Sequence, residues 1–198
     1  MEYNDAGFRP NSELRAEARV DLKGNWIQAI LAYVVYAVIE STAAAIGGIG
    51  NLIIGGPIEL GLVNYFLRLK RWKAAQIEDV FYGFGHFENS LVLYVVRTIF
   101  VMLWSLLFII PGIVAALRYS MAMYILYDNS ELSGMEAMRR SREMMEGNKV
   151  RLFGLYLSFV GWAVLCCFTL GLGFLWLLPY IKMTEAGFYE ALKKAERV

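Results

Sequence analysis

Four clusters of basic residues, separated by three apolar stretches with no Lys or Arg near their midpoints, constrain this chain more than any other feature. The clusters are Arg9, Arg15, Arg19 and Lys23; Arg68, Lys70, Arg71 and Lys73; Arg139, Arg140, Arg142, Lys149 and Arg151; and Lys193, Lys194 and Arg197. Positive residues flanking membrane spans stay on the cytoplasmic side, so all four clusters belong to one side of a bilayer. An even number of crossings must then separate consecutive clusters. The expectation is an all-α, polytopic membrane helical bundle of about six transmembrane helices. They are arranged as three hairpins with cytoplasmic amphipathic helices and both termini inside.

Composition agrees. The 198 residues are 58% hydrophobic, against roughly 45–50% in soluble domains, and the mean hydropathy is +0.47. A net charge of +1 argues against nucleic acid as a partner, since no face can gather a dominant basic stripe. The basic clusters suit anionic lipid headgroups instead, at roughly 1 kcal/mol per residue near the surface. These features place the chain in the plasma or inner membrane. The first apolar run, from Trp26, is longer than a signal-peptide core and is expected to serve as an uncleaved span. Cys166 and Cys167 are adjacent within an apolar run, a poor arrangement for a disulfide or a metal site.

The expected spans are Trp26–Ile46, Leu52–Leu69, Ser90–Ile110, Gly112–Tyr127, Arg151–Leu170 and Leu172–Tyr189. The first, about twenty residues, suits a hydrocarbon core of roughly 30 Å; the second is shorter and interrupted by Pro57, the last interrupted by Pro179. Glycines 47, 48, 50, 55 and 56 mark a turn or close backbone contact. Ser90–Tyr127 as one helix would reach nearly twice the hydrocarbon thickness. Pro111-Gly112 near its centre therefore divides it into a hairpin.

A polar helix candidate precedes each apolar pair. Leu14, Ala18, Leu22 and Trp26 repeat every four residues; Ile77, Val80, Phe81 and Phe84 follow the helical i, i+3, i+4, i+7 pattern. Ser133 and Glu136 have capping-box spacing ahead of an apolar side with Met135, Met138 and Met145. These segments are expected in the cytoplasmic interface, apolar faces towards the acyl chains or the bundle. The single membrane domain, 1–198, thus reads as repeat-like units of about 11–73, 74–130 and 131–198. Gly24-Asn25 and Gly147-Asn148 open spans at matching places, and Pro57, Pro111 and Pro179 each sit near the start of a hairpin's second helix.

From Trp104 onward the residues run Trp104-Ser-Leu-Leu-Phe-Ile-Ile-Pro-Gly112, Arg118-Tyr-Ser-Met-Ala122, Asp128-Asn129, Ser141 and Glu146-Gly-Asn148. Leu157-Ser-Phe-Val-Gly-Trp162, Gly171 to Gly173, Pro179-Tyr180 and Phe188-Tyr189 follow. In order and spacing this half resembles a bacterial membrane family filed as domain of unknown function 975. The first half matches through Gly24-Asn25 and Gly56-Pro57. The resemblance implies an integral membrane protein and supplies no activity, substrate, cofactor or catalytic residue.

Ionisable residues inside spans are the first functional candidates, because each costs roughly 2.5–3.5 kcal/mol at a helix centre. They are Glu40, Glu59, Arg97, Arg118 and Glu185, with Lys182 nearby. Glu59 and Arg118 share a depth that permits a buried pair, with Glu40 as an alternative partner. Lys182 and Glu185, three apart, can satisfy each other. These residues either fix helix register or form a polar pathway for an ion or small solute; lipid headgroup binding is a third role. Small residues four apart (Ala43/Gly47, Ala44/Gly48, Gly154/Ser158 and Gly187/Ala191) suit close helix packing, within the chain or in a homo-oligomer.

Catalytic chemistry finds no support. His86, the only histidine, has no companions at ligand spacing, and Ser120, Ser141 and Ser158 have no base nearby in sequence. Gly171-Leu-Gly173 lacks phosphate-binding context, and Tyr127–Glu131 lacks the length and glycine of a calcium loop. No catalytic, cofactor or metal site is expected. The favoured reading is a non-enzymatic membrane scaffold or a component that binds protein or anionic lipid on its cytoplasmic side. The alternative is a transporter or channel for a small polar solute or ion.

Overall fold

The computed structural model describes residues 10–45 and 49–195, and these are all-helical. Arg9, Ile46, Gly47, Gly48 and Arg197, named above, lie outside the described residues. The helices are α1 (Asn11–Leu22), α2 (Trp26–Ala45), α3 (Ile49–Trp72), α4 (Phe87–Leu107), α5 (Ile109–Arg118), α6 (Ala122–Asp128), α7 (Gly134–Met144), α8 (Lys149–Phe168) and α9 (Phe174–Ala195). A 3-10 segment, Ile77–His86, precedes α4. Among the described residues five stretches are long and apolar enough to cross a membrane: Trp26–Ala45, Ile49–Trp72, Ile77–Leu107, Ile109–Asp128 and Lys149–Phe168. The helix at the expected sixth span, α9, is not one of them. It carries Lys182, Glu185, Glu190, Lys193 and Lys194.

Burial sorts the long helices into two kinds. Residues Gly55–Leu67 of α3 are almost wholly enclosed, as are Met183–Tyr189 of α9 and Ala122–Leu126 of α6. Around them α2, α4 and α8 present apolar side chains outward, among them Ile27, Leu31, Ile99, Leu103, Leu157 and Leu165. An apolar exterior around a packed interior is the arrangement that lipid, not water, selects.

Three proline expectations are corrected. Pro57 and Pro179 do not interrupt their spans; both lie inside continuous helices, and neither opens one. Neighbouring elements in a packed bundle can re-satisfy the carbonyls that proline frees. The α4–α5 break falls at Phe108, whose backbone is extended (φ −159, ψ 149), ahead of the expected Pro111-Gly112. Pro111 is the third residue of α5, where a missing N–H costs nothing. The expected fourth span, Gly112–Tyr127, is itself divided: turns at Tyr119–Met121 separate α5 from α6.

The short elements also refine the reading. Leu14, Ala18 and Leu22 are buried as one stripe of α1, which packs against α9. Tyr180 links the two, donating to the Arg15 carbonyl (3.1 Å) and accepting from Arg19 (3.0 Å). Ser133 caps α7 through the Glu136 N–H (3.2 Å). Met138 and Met145 are buried, whereas Met135 is exposed. Ile77–His86 is not an α-helix. Its period of three turns Val80 and Gly83 inward and Phe81 and Phe84 outward, replacing the expected four-residue stripe.

Close backbone approach occurs at Gly56, one of the glycines expected to mark it, and at Gly61, outside the expected small-residue pairs. A Cβ on Gly61 would overlap the Val80 carbonyl, and one on Gly56 would overlap the Ser90 carbonyl. These two positions let α3 lie directly against the 3-10 segment and the start of α4. Gly154 and Gly187 instead meet only ordinary contacts at 3.6 and 3.8 Å.

Candidate functional site

Where α2, α3, α4 and α9 converge, the apolar interior is interrupted by charged and phenolic side chains. Arg97 of α4 grips Glu59 of α3 with both terminal nitrogens, Nη1 to Oε1 at 2.9 Å and Nη2 to Oε2. Each side chain is 18% exposed. The Arg97 guanidinium also lies over the Tyr94 ring, 5.5 Å from its centroid. This corrects the expected Glu59–Arg118 pair. Gly55 and Gly56 bring α3 against Tyr94 and Ser90, and at that close approach the long Arg97 side chain reaches Glu59.

Glu40 does not join that pair either. Its Oε2 accepts from Asn51 Nδ2, whose Oδ1 accepts from the Tyr94 hydroxyl (2.7 Å). On the α9 side, Lys182 Nζ donates to Glu185 Oε2 at 2.9 Å, the local pair read from their spacing. Glu185 also accepts from Tyr156 (2.9 Å) and Tyr124 (3.3 Å), so α6, α8 and α9 share one carboxylate. Lys182 lies within electrostatic reach of Glu59 as well.

Arg118 stands apart from this network. It ends α5, its carbonyl accepts from Ser141 Oγ of α7 (3.0 Å), and its Nε is enclosed without a hydrogen-bond partner. A cavity of about 460 Å³ opens between α4 and α5, lined by Arg97, Thr98, Val101, Met102, Ala116 and Ser120. Arg118 is not among its lining residues.

A second polar layer lies at the basic end of the bundle. Arg71 of α3 donates to both oxygens of Asp128 (2.6 and 2.8 Å) and to Glu190 Oε1 (2.5 and 2.8 Å). Tyr189 donates to Asp128 at 2.9 Å, and Lys193 pairs with it. Lys70 holds Asp21 (2.6 Å) and Glu17 (3.1 Å) of α1, and Arg68 holds Asp79 (2.5 Å). Here α1, α3, α6, α9 and the 3-10 segment are bound into one charged layer. On the exposed side of α7, hydrogen bonding from Arg139, with Arg140 in support, holds the Glu136 carboxyl below its ordinary range.

Asn51, Tyr94, Tyr124 and Tyr156 were not singled out from the sequence as site residues, and Asp128 was read only as part of the Asp128-Asn129 match and the Tyr127–Glu131 loop. The signal available for the first four was a polar or phenolic side chain within an apolar run, weaker than a formal charge. Among the described residues no group of three His, Cys, Asp or Glu is placed to hold a metal ion.

Fold and site together define an all-helical protein whose long apolar helices enclose paired charges, with five described stretches able to span a membrane. The chain belongs to the family described as "Protein of unknown function (DUF975)", whose model matches residues 1–117 and 106–196. No curated protein and no solved structure matches the chain significantly.

Proposed function

We propose that this protein is a non-catalytic, multi-pass component of the cell membrane that acts as a scaffold, recruiting protein or anionic lipid at its cytoplasmic surface. On this reading six helices cross the bilayer as three hairpins, α9 being the sixth, and both termini are cytoplasmic. The observation that carries it is that intramembrane charges are occupied by internal partners: Glu59 by Arg97, Lys182 by Glu185, and Glu185 further by Tyr156. A pathway needs polar groups that face a passage and exchange partners with a solute. Here bidentate and multiply bonded side chains fix helix register instead. The basic residues of α7 offer the cytoplasmic charge that anionic lipid or an acidic partner recognises.

A transporter is the second reading, and the α5–α6 break favours it, since discontinuous helices commonly frame solute sites. Purified protein in proteoliposomes separates the two. The scaffold predicts no flux of protons, sodium, potassium or small amino acids above that of empty vesicles. Flux that Arg118→Leu abolishes while the protein still folds would overturn it. For the topology, Gly171→Cys in a Cys166→Ser/Cys167→Ser background should react with an impermeant thiol reagent from outside intact cells.

A further inference from the structure

Of the three cations expected within spans, Arg97, Arg118 and Lys182, Arg118 alone has no carboxylate partner among the described residues. Arg97 and Lys182 are both paired. Arg118 is half-buried, and its Nε is fully enclosed with no acceptor. An arginine held in that state carries five donors and a charge that water or an anion must meet.

Its surroundings say which anion. Within α5, Ile110, Val114 and Arg118 stand four residues apart and share one face. Ile110 is 75% exposed and Val114 38%, so this face turns away from the bundle along an apolar stripe ending in the guanidinium. Gly112, on the other side of the helix, is buried together with Ala115. At the Arg118 end, Ser141 of α7 holds the Arg118 carbonyl at 3.0 Å, which sets the amphipathic α7 at the same level. The outer side of α7 carries Arg139, Arg140 and Arg142, so that level is where the apolar surface gives way to water. Arg142, next to Ser141, is exposed and also has no carboxylate partner among the described residues.

An apolar stripe ending in an unpaired arginine at a polar boundary has the chemistry of one phospholipid: acyl chain along Ile110 and Val114, phosphate on the guanidinium. We propose that Arg118 is a headgroup site for an anionic phospholipid of the cytoplasmic leaflet, with Arg142 as an auxiliary cation. The proposal rests on the membrane orientation given above and names the lipid contact of that surface. Planar bidentate recognition of phosphate oxygens makes arginine the suitable donor, and lysine a partial substitute.

The test uses the full chain purified in neutral detergent and titrated with phosphatidylglycerol or phosphatidylcholine, bound lipid being counted by native mass spectrometry. Wild type should prefer phosphatidylglycerol, and Arg118→Gln should weaken that binding about tenfold, as expected for loss of one charge-assisted contact. Phosphatidylcholine binding should stay unchanged, with Arg118→Lys falling between. Equal phosphatidylglycerol binding by wild type and Arg118→Gln overturns the site. Displacement of the lipid by millimolar inorganic phosphate would assign the site to a free anion and overturn the lipid. Should Arg118→Gln fail to fold, unaltered protein with a photoactivatable acyl chain on phosphatidylglycerol decides. Labelling concentrated at Ile110 and Val114 supports the proposal; labelling spread evenly over the exposed faces of α2, α4 and α8 overturns it. Solute flux in the proteoliposome assay would sink the scaffold and leave these outcomes readable.

Discussion

Arg97 and Glu59 meet as a fork on a fork, each guanidinium nitrogen facing one carboxylate oxygen, and so join α4 to α3 through the interior of the bundle. Removing one partner strands the other's charge, at about 3–5 kcal/mol for a buried pair. Arg97→Leu and Glu59→Leu are each expected to lower thermal stability in detergent markedly. The double variant should be more stable than either single one, because no charge is left alone. A double variant as unstable as the sum of the singles would show that the two residues act independently.

Gly61 lies so close to Val80 that no side chain fits between them. Gly61→Val should therefore push the 3-10 segment off α3, with an overpacking cost of about 1–3 kcal/mol or more. Hydrogen exchange should rise across Ile77–His86 and leave α9 unaffected. Uniform protection in both elements would mean that the contact is slack.

How legible these features were depends on whether they are local. Lys182 and Glu185 were readable because three residues along a helix fix their separation, and the Ser133 cap was readable for the same reason. The α1 stripe was readable because a four-residue period survives whatever the helix packs on. Glu59 and Arg97 are 38 residues apart. Their meeting depends on the rotation of α3 and α4 about their axes, which Gly55 and Gly56 set through contacts that no spacing displays. The Ile77–His86 segment was misread because periods of 3.0 and 3.6 both bring residue i+3 near the face of residue i, as at Ile77 and Val80, and part only further along. Only packing against Gly61 and Pro57 decides between them. Pro57 was taken as an interruption on a rule for water, whereas a packed neighbour can absorb the freed carbonyl.

Asp128 gathers Arg71, Lys193 and Tyr189 while only 6% of its side chain is exposed. Asp128→Asn keeps the shape and removes the charge that two cations share. It should destabilise far more than Glu143→Gln, whose partner Arg139 is 62% exposed in a surface pair worth about 0–1 kcal/mol. Equal midpoints in a thermal melt would demote the charged layer to surface decoration.

Acid should act first on α7. Arg139 and Arg140 hold the Glu136 carboxyl below its ordinary value, so these pairs are intact above the unfolded-state value, at neutral pH included. They are lost as pH falls through the lowered folded value, when the carboxyl takes up a proton and the two guanidiniums are left facing a neutral group. Glu136 also sits in the first turn of α7, where a negative charge favours the helix end, so protonation removes two supports together. Hydrogen exchange followed from neutral to acidic pH should show α7 amides losing protection while α3 amides keep theirs. Glu136→Gln should show the acid-like pattern already at neutral pH. An α7 indifferent to both the variant and the acid would leave Ser133 and the buried face of Ala137, Met138 and Ser141 as sufficient to hold the helix.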